Sequence, residues 1–298
     1  MRAILSKLLK SISIAILMYL ATSRAWNTYV HSRMIVDYQS AVTTTSTDLG
    51  RDLEAARRYN EALFAAGSNH IAEYAERSVR AAKRRRSSGS VNAEDEDVLY
   101  GRADDPEYEN LLNLGGDGMM GYVDIQSIGV SLPIYHYTTD EVLAKGVGHL
   151  YGTSLPVGGE NTHSVITGHR GLPSSKLFTD LDKVRVGDTF SLYVLGEELD
   201  YQVDEIDIVL PDEISSLSIV PGEDLVTLVT CTPYGINTHR LLVRGHRIKK
   251  TEVTVQVAKR NTEEKAYRFL TTSQMTYLIG IIGLVAGGTL LIVIWRKR

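Results

Sequence analysis

The chain has 298 residues, of which 43% are hydrophobic and 23% charged, and its formal net charge at pH 7 is −4. This composition excludes the collagen-like, wholly disordered and disulfide-stapled classes of protein. The acidic balance also argues against a nucleic-acid-binding protein that relies on bulk positive charge. Because Cys231 is the one cysteine of the chain, no internal disulfide can form, and this residue is either inert and buried or a working thiol.

The first 24 residues predict a membrane anchor or a signal segment. Residues 11–21 form an apolar run, which basic residues but no acidic residue precede. The run has the length of a signal-peptide core. A signal peptide that is removed and an anchor that is retained both fit this pattern.

The C-terminal end predicts a transmembrane helix. Residues 276–295 are 20 consecutive residues without a charge, with Tyr277 and Trp295 at the two edges. A helix of that length spans about 30 Å, the hydrocarbon thickness of a bilayer. The basic residues 296–298 follow, so the positive-inside rule places both ends of the chain in the cytoplasm. Residues 25–275, with a net charge of −11, are then expected outside the cell.

The region from residue 25 to residue 90 is expected to be helical. Apolar residues such as Leu49, Leu53 and Phe64 recur near a period of 3.6, which predicts a helix. Gly67 and the two residues after it predict a break, followed by a second helix that reaches about residue 85.

From Gly121 the sequence changes to short β-type segments separated by turns that contain glycine and proline. Many short strands at modest spacing predict a mainly β domain, a closed barrel or a sandwich, and not a doubly wound α/β fold. The predicted strands are residues 122–125, 130–135, 164–167, 189–195, 201–210, 225–232 and 240–248.

Two residues at the ends of predicted strands suit nucleophilic catalysis. Cys231 ends an apolar strand just before a Pro/Gly turn, and His169 follows another strand between two glycines. The thiolate is the nucleophilic form of cysteine, and a neighbouring imidazolium lowers the thiol pKa. From position alone, a buried structural cysteine is an equal alternative. Three other histidines are also candidates at this point: His163, His239 and His246.

Arg240 lies nine residues after Cys231. If the two strands are antiparallel neighbours across the 233–238 loop, both side chains lie at one end of the sheet. A fixed cation there stabilises the oxyanion of a tetrahedral intermediate or orients the substrate carbonyl. Arg244 shares the strand face by period 2 but lies farther from the turn. A surface salt bridge is the alternative role for either arginine.

The sequence around these positions resembles a known family. Thr-Cys-Thr-Pro-Tyr-Gly-Ile-Asn-Thr-His-Arg-Leu-Leu-Val-Arg-Gly at 230–245, with Thr-Gly-His-Arg-Gly at 167–171, closely resembles the class C, pilus-assembling sortases. Tyr-Glu-Asn-Leu-Leu-Asn at 108–113, leading into Gly-Met-Met-Gly-Tyr-Val at 118–123, adds to a resemblance that covers roughly residues 100–250. A hydrophobic C-terminal tail is also typical of class C and not of the housekeeping class.

The resemblance implies a closed eight-stranded sortase-type β-barrel and a cysteine transpeptidase, with no cofactor and no metal. Cys231 would be the nucleophile, His169 the general acid/base, and Arg240 the residue that stabilises the oxyanion or positions the substrate. The implied partners are pilin subunits with LPXTG-like sorting signals. The enzyme would cleave the signal between Thr and Gly, hold the pilin as a thioester and join it to an acceptor lysine. The implied product is an isopeptide-linked pilus on a Gram-positive cell.

Class C sortases usually carry a lid with an Asp-Pro-aromatic motif before the barrel, and this sequence departs from that motif. Asp105 and Pro106 are followed by Glu107, and the aromatic residue is displaced to Tyr108. We expect a lid within about residues 91–107, and an ordered loop is the alternative. The candidate lid residues are Asp97, Tyr100, Asp105 and Pro106.

The predicted organisation is therefore a multi-pass protein of the cell membrane with an extracytoplasmic catalytic domain. Membrane lipid is an expected partner of the protein, and nucleic acid is not. Two alternatives remain, a housekeeping-type sortase that anchors proteins to peptidoglycan and a membrane-tethered surface adhesin or scaffold. The predicted segments are the N-terminal anchor or signal (1–24), helical region (25–90), lid and lead-in (91–117), barrel (118–250), linker (251–275), transmembrane helix (276–295) and cytoplasmic tail (296–298).

Overall fold

The computed structural model describes residues 2–45, 49–67, 105–211, 213 and 215–249. These residues divide into two compact units, one formed by residues 2–30 with 173–176 and the other by residues 31–172 with 177–249. The second unit contains all of the strands described below and the candidate catalytic residues.

Four α-helices lie within the described residues: α1 (Arg2–Thr44), α2 (Leu49–Ala65), α3 (Pro106–Asn110) and α4 (Asp140–Lys145). α2 begins at Leu49, where the hydrophobic repeat begins, and it ends just before Gly67. Gly67 has a φ of +82°, a left-handed conformation that favours glycine after a helix. The second helix predicted beyond Gly67 lies outside the described residues.

The apolar run at residues 11–21 lies within α1. Among the described residues, no helix combines the length and the apolar character needed to cross a membrane. Residues 276–295 lie outside the described residues. Membrane-spanning segments at the two ends of the chain therefore remain predictions from the sequence.

Within the described residues, eight strands form a closed barrel in the order β1-β2-β3-β4-β7-β8-β6-β5, and β5 pairs with β1. The pairs β2–β3 and β4–β7 are parallel, and the other pairs are antiparallel. The closed eight-stranded barrel implied by the resemblance is therefore confirmed. The strands are β1 (Met119–Ile125), β2 (Val130–His136), β3 (Val147–His149), β4 (Thr162–Thr167), β5 (Thr189–Val194), β6 (Glu197–Val209), β7 (Asp224–Thr232) and β8 (His239–Arg247).

Alternation along the strands separates the two faces of the barrel wall, because successive side chains point to opposite faces. Ile166, Leu228 and Val243 belong to the main core, to which each of the eight strands contributes at least one side chain. The residues one step along the same strands, together with Leu217 from the segment between β6 and β7, form a second buried cluster on the outer face, which we call the outer strip: Val165, Val229, Leu242 and Leu217.

The later part of α1 packs against β1 and β5. Ile35 and Tyr38 are buried with Met119 and Tyr122 in a cluster of their own. The Tyr38 hydroxyl donates to the carbonyl of Met120 at 3.0 Å and accepts from the amide of Leu195 at 2.8 Å. This residue therefore satisfies two backbone groups at the helix–sheet contact.

α3 is anchored by Tyr108, which is fully buried. The Tyr108 hydroxyl is hydrogen-bonded to His149 Nδ1 at 2.8 Å, and His149 Nε2 donates to the carbonyl of Ser154 at 2.8 Å. Burial lowers the pKa of His149 to about 3, so this imidazole is neutral near pH 7. The histidine serves the packing of α3 against β3 and lies away from the β7–β8 turn.

Candidate active site

The β7–β8 hairpin places Cys231 and Arg240 directly opposite each other. The two strands are antiparallel neighbours across the 233–238 loop, and their register pairs Cys231 with Arg240 and Thr232 with His239. The antiparallel arrangement proposed from the sequence is therefore observed. Directly opposed residues have Cβ atoms about 5 Å apart, so the two side chains share one end of the sheet.

The parallel β4–β7 pair brings His169 to the same level. The strand register ends with Thr167 opposite Val229, and the Gly168 amide then donates to the carbonyl of Val229 at 3.0 Å. Thr230 Oγ1 donates to the carbonyl of Gly168 at 2.7 Å. Because Gly168 precedes His169 and Thr230 precedes Cys231, a continuation of this register by two residues beyond Thr167 and Val229 would set His169 level with Cys231.

Cys231 and Arg240 both lie on the outer face of the barrel wall. Val229 and Leu242 belong to the outer strip. Cys231 is two residues beyond Val229, and Arg240 is two residues before Leu242. The period of two along a strand therefore turns the sulfur and the guanidinium to the outer face. Cys231 is half-buried and not part of the core, which favours the working thiol over the buried structural cysteine.

His169 is half-buried at the end of β4. Burial lowers its pKa below the ordinary histidine value, and the negative charge of Asp140, the first residue of α4, opposes this shift. The imidazole is consequently neutral near pH 7 and able to accept a proton.

The other candidate histidines occupy different places. His163 is fully buried, with Nδ1 donating to the carbonyl of Ser218 and Nε2 accepting from Thr227 Oγ1. His246 pairs with Leu225 near the opposite end of β7, and His239 lies on the strand face opposite to that of its neighbour Arg240. Of the four histidines considered, His169 is the one that follows directly on the Gly168 bonds to Val229 and Thr230 at the end of the β4–β7 pair.

The two candidate arginines differ in their partners. Arg240 Nη1 donates to the carbonyls of His239 at 3.1 Å and Asn237 at 3.4 Å. Among the residues that the structure describes, no carboxylate lies within ion-pair distance of Arg240. Arg244 instead forms ion pairs with Asp204 at 3.1 Å and with Glu205. Arg240 therefore keeps a positive charge available at the turn, whereas Arg244 is neutralised by its neighbours.

Two of the candidate lid residues begin α3. Asp105 caps the helix by accepting from the Tyr108 amide at 3.0 Å, and its other oxygen accepts from the hydroxyls of Tyr59 and Tyr151. Pro106 is the first residue of the helix. Asp97 and Tyr100 lie outside the described residues, so the lid remains a prediction.

Arg170 is a residue of the site that the sequence patterns do not single out. Arg170 directly follows His169, and its Nη1 donates to Thr232 Oγ1 at 2.9 Å, while Nη2 forms an ion pair with Asp182. Its place inside the Thr-Gly-His-Arg-Gly motif was the available signal. Within the described part of the chain, no group of three or more His, Cys, Asp or Glu residues is arranged to hold a metal ion.

Comparisons with known proteins agree with this geometry. A family model described as Sortase domain matches residues 123–248. The crystal structure of sortase C1 from Streptococcus agalactiae is similar, with a TM-score of 0.57 and 41% identity over 74% of this chain and 100% of that chain. Sortase C from Streptococcus pneumoniae has a TM-score of 0.57 and 38% identity over 74% of this chain and 98% of that chain.

A more distant relative points to the same family. Sortase A of Bacillus anthracis is 27% identical over 154 residues, which are 51% of this chain and 71% of that protein. The resemblance seen in the residues around Cys231 and His169 is thus confirmed by independent comparisons. Since the chain spans the full length of a sortase C1 to which it is 41% identical, it belongs to the sortase family of cysteine transpeptidases, and within that family to class C.

Proposed function

We propose that this enzyme assembles pili, by cleaving LPXTG-like sorting signals between Thr and Gly and joining pilin subunits through isopeptide bonds. The observation that supports the proposal is the strand register of the β7–β8 hairpin, which pairs Cys231 with Arg240, while His169 follows the end of β4, the strand that pairs with β7. Two similar structures support the choice of substrate. One is a sortase C1 of a streptococcal pilus island, and the other, from S. pneumoniae, bears on pilin substrate specificity.

In the first half-reaction, the sulfur of Cys231 attacks the carbonyl carbon of the Thr in the sorting signal. A C–S bond forms, the C–N bond between Thr and Gly breaks, and the leaving glycine amine takes up a proton. His169 suits both proton transfers because burial keeps its imidazole neutral near pH 7. It accepts the thiol proton first and then gives it to the leaving amine.

Arg240 is proposed to stabilise the oxyanion of the tetrahedral intermediate or to orient the Thr carbonyl. Its guanidinium is bonded to two backbone carbonyls of its own turn, which restrict the side chain without neutralising its charge. A fixed cation beside a developing negative charge needs no reorganisation during the reaction.

In the second half-reaction, the ε-amine of a lysine on the next pilin attacks the thioester. The new C–N bond forms as the C–S bond breaks, and the amine proton passes through His169 to the sulfur of Cys231. Because the thioester conserves the acyl group of the cleaved peptide bond in reactive form, polymerisation requires no ATP.

The cellular setting of the proposal comes from the ends of the sequence. The apolar run at residues 11–21 and the uncharged segment at residues 276–295 would hold the catalytic unit at the outer surface of the membrane. Pilin subunits that emerge from the same membrane would then meet the enzyme at close range.

The test uses the full-length chain in detergent micelles with a pilin that carries an LPXTG-type signal. We expect a thioester between the pilin and Cys231, seen by mass spectrometry, and pilin polymers that resist denaturing electrophoresis. Removal of the acceptor lysine from the pilin should abolish the polymers and leave cleavage of the signal intact. If the intact pilin gives no polymer but is joined to a wall-peptide amine, the wall-anchoring alternative replaces the proposal.

A further inference from the structure

Arg170 directly follows His169, and its largely buried side chain reaches the segment that carries Cys231. Its Nη1 donates to Thr232 Oγ1 at 2.9 Å, and its Nη2 forms an ion pair with Asp182. The geometry points to Arg170 as a positioning residue that fixes the distance between the thiol and the imidazole. This inference rests on the catalytic roles proposed above for Cys231 and His169.

The bond from Arg170 lies where the strand pairing runs out. Beyond the end of β4, the Gly168 amide still donates to the carbonyl of Val229. After that bond, the described residues join the two segments through side chains, first Thr230 Oγ1 to the Gly168 carbonyl and then Arg170 to Thr232. Beside the proposed catalytic residues, the hydrogen bond from the guanidinium thus takes the place of the backbone hydrogen bonds that pair β4 with β7.

The two residues joined by this bond are the immediate neighbours of the catalytic pair. Arg170 directly follows His169, and Thr232 directly follows Cys231. One hydrogen bond therefore restrains both strand ends at once. Such restraint matters for rate, because a misplacement of about 1 Å at an active site costs about 100-fold.

The environment of the guanidinium suits a geometric role better than a stabilising one. The side chain of Arg170 is 8% exposed, whereas that of its partner Asp182 is 45% exposed. Arg170 Nε is buried and, among the described residues, has no hydrogen-bond partner. A buried cation with an unsatisfied N–H costs free energy, and an apolar side chain of similar volume often serves stability as well or better.

The test compares variants of the full-length chain. Thr232→Val removes the acceptor hydroxyl at nearly constant volume, and Thr232→Ser keeps it. Arg170→Lys keeps the charge but loses the planar, two-pronged donor. Arg247→Lys is the matched control, because Arg247 is also ion-paired, to Asp224, but lies at the opposite end of β8 from Arg240.

With an LPXTG-type peptide as the probe, we expect kcat to fall about 10- to 100-fold in Thr232→Val and Arg170→Lys, with KM changed by less than about twofold. Thr232→Ser should recover most of the lost rate, and Arg247→Lys should stay within about twofold of the wild type. Thermal unfolding is measured on every variant. If kcat falls only in proportion to the unfolded fraction, Arg170 is a structural residue and the inference is wrong.

A second measurement separates this inference from the proposed function. Iodoacetamide alkylates the Cys231 thiolate without any peptide, and we expect its rate at neutral pH to fall about threefold or more in Thr232→Val. If the wild type does not cleave the peptide, the proposed substrate is wrong, and a reduced alkylation rate still supports the positioning role. Equal alkylation rates in all four variants and the wild type would overturn that role.

Discussion

Cys231 on β7 and Arg240 on β8 are paired residues of one antiparallel register. Their Cβ atoms are therefore about 5 Å apart, on the outer face of the barrel wall. An oxyanion formed on a carbonyl carbon bound to the sulfur would develop within reach of the guanidinium. The pairing of two strands thus sets the relation between the nucleophile and the charge that assists it, and the hairpin itself carries two of the three proposed catalytic groups.

The role of Cys231 predicts complete loss of activity on its replacement. Cys231→Ala should give neither thioester nor pilin polymer, because no other described group at this position can form the acyl intermediate. The melting temperature should change by less than about 2 °C, since the side chain is only half-buried and the change removes one sulfur atom. Mass spectrometry of the enzyme after incubation with substrate and a thermal melt give the two readouts. Persistent polymer formation by the variant would contradict the assignment.

Arg240 and Arg244 are expected to respond differently to the same substitution. Arg240→Ala should lower kcat about 100-fold and leave a small residual activity, because a stabiliser of the oxyanion is removed. Arg244→Ala should leave kcat within a few fold and lower stability by about 1 kcal/mol, because Asp204 loses its half-buried partner. Peptide cleavage and urea unfolding of the two variants provide the comparison. A larger loss of kcat in Arg244→Ala than in Arg240→Ala would reverse the assignment.

His169→Ala should abolish cleavage of an LPXTG-type peptide, because the thiol proton then has no acceptor and the leaving amine no donor. His239→Ala is the nearby control, since His239 lies on the opposite strand face, bonded to Thr238 Oγ1 at 2.9 Å. His246→Ala is a control at the far end of β8. Normal cleavage by His169→Ala would require another residue to serve as the acid/base.

The free energy of unfolding should fall as the pH is lowered from neutral, because burial disfavours protonation of histidines in the folded chain. Burial lowers the pKa of His149 to about 3, below the value of about 6.5 in the unfolded chain. Between these two pH values the unfolded chain binds more protons than the folded chain. The free energy of unfolding therefore has its full value above about pH 6.5 and decreases as the pH falls below it. The loss from His149 is about 2 kcal/mol near pH 5, and His163, whose pKa burial also lowers, adds to it.

Urea unfolding at neutral pH and at about pH 5 measures this effect. In His149→Gln the loss of stability between the two pH values should be smaller, although the variant is less stable than the wild type at neutral pH. An equal pH dependence in wild type and His149→Gln would show that the buried histidines do not govern acid sensitivity.

The parts of the fold that the sequence could predict are those with a local pattern. Seven strands have β-type runs of several residues, but β3 has only Val-Gly-His, too short for any alternation to be seen. Cys231 and Arg240 could be paired in advance because a short turn separates their strands. The bond from Arg170 to Thr232 could not, because it joins residues 62 positions apart whose meeting depends on the parallel β4–β7 register.

Gly168 is expected to be irreplaceable because of its packing. A Cβ atom added there would lie 2.6 Å from Phe178 Cδ2 and 2.9 Å from Val147 Cγ1. Phe178 is fully buried, so its ring cannot move aside. Gly168→Ala should therefore cost about 1–3 kcal/mol of stability and displace the adjacent His169, which lowers kcat further than the unfolded fraction explains.

Removing the obstruction should reverse the effect of this substitution. Phe178→Leu alone should destabilise the protein by leaving space in the core, whereas Gly168→Ala combined with Phe178→Leu should be more stable than the sum of the two single changes predicts. Urea unfolding gives the coupling between the two positions, and peptide cleavage by the double variant shows whether His169 has returned to its place. If the two losses of stability are additive, the added methyl group at position 168 does not clash with Phe178. The position of His169 would then not depend on how Gly168 packs against this ring.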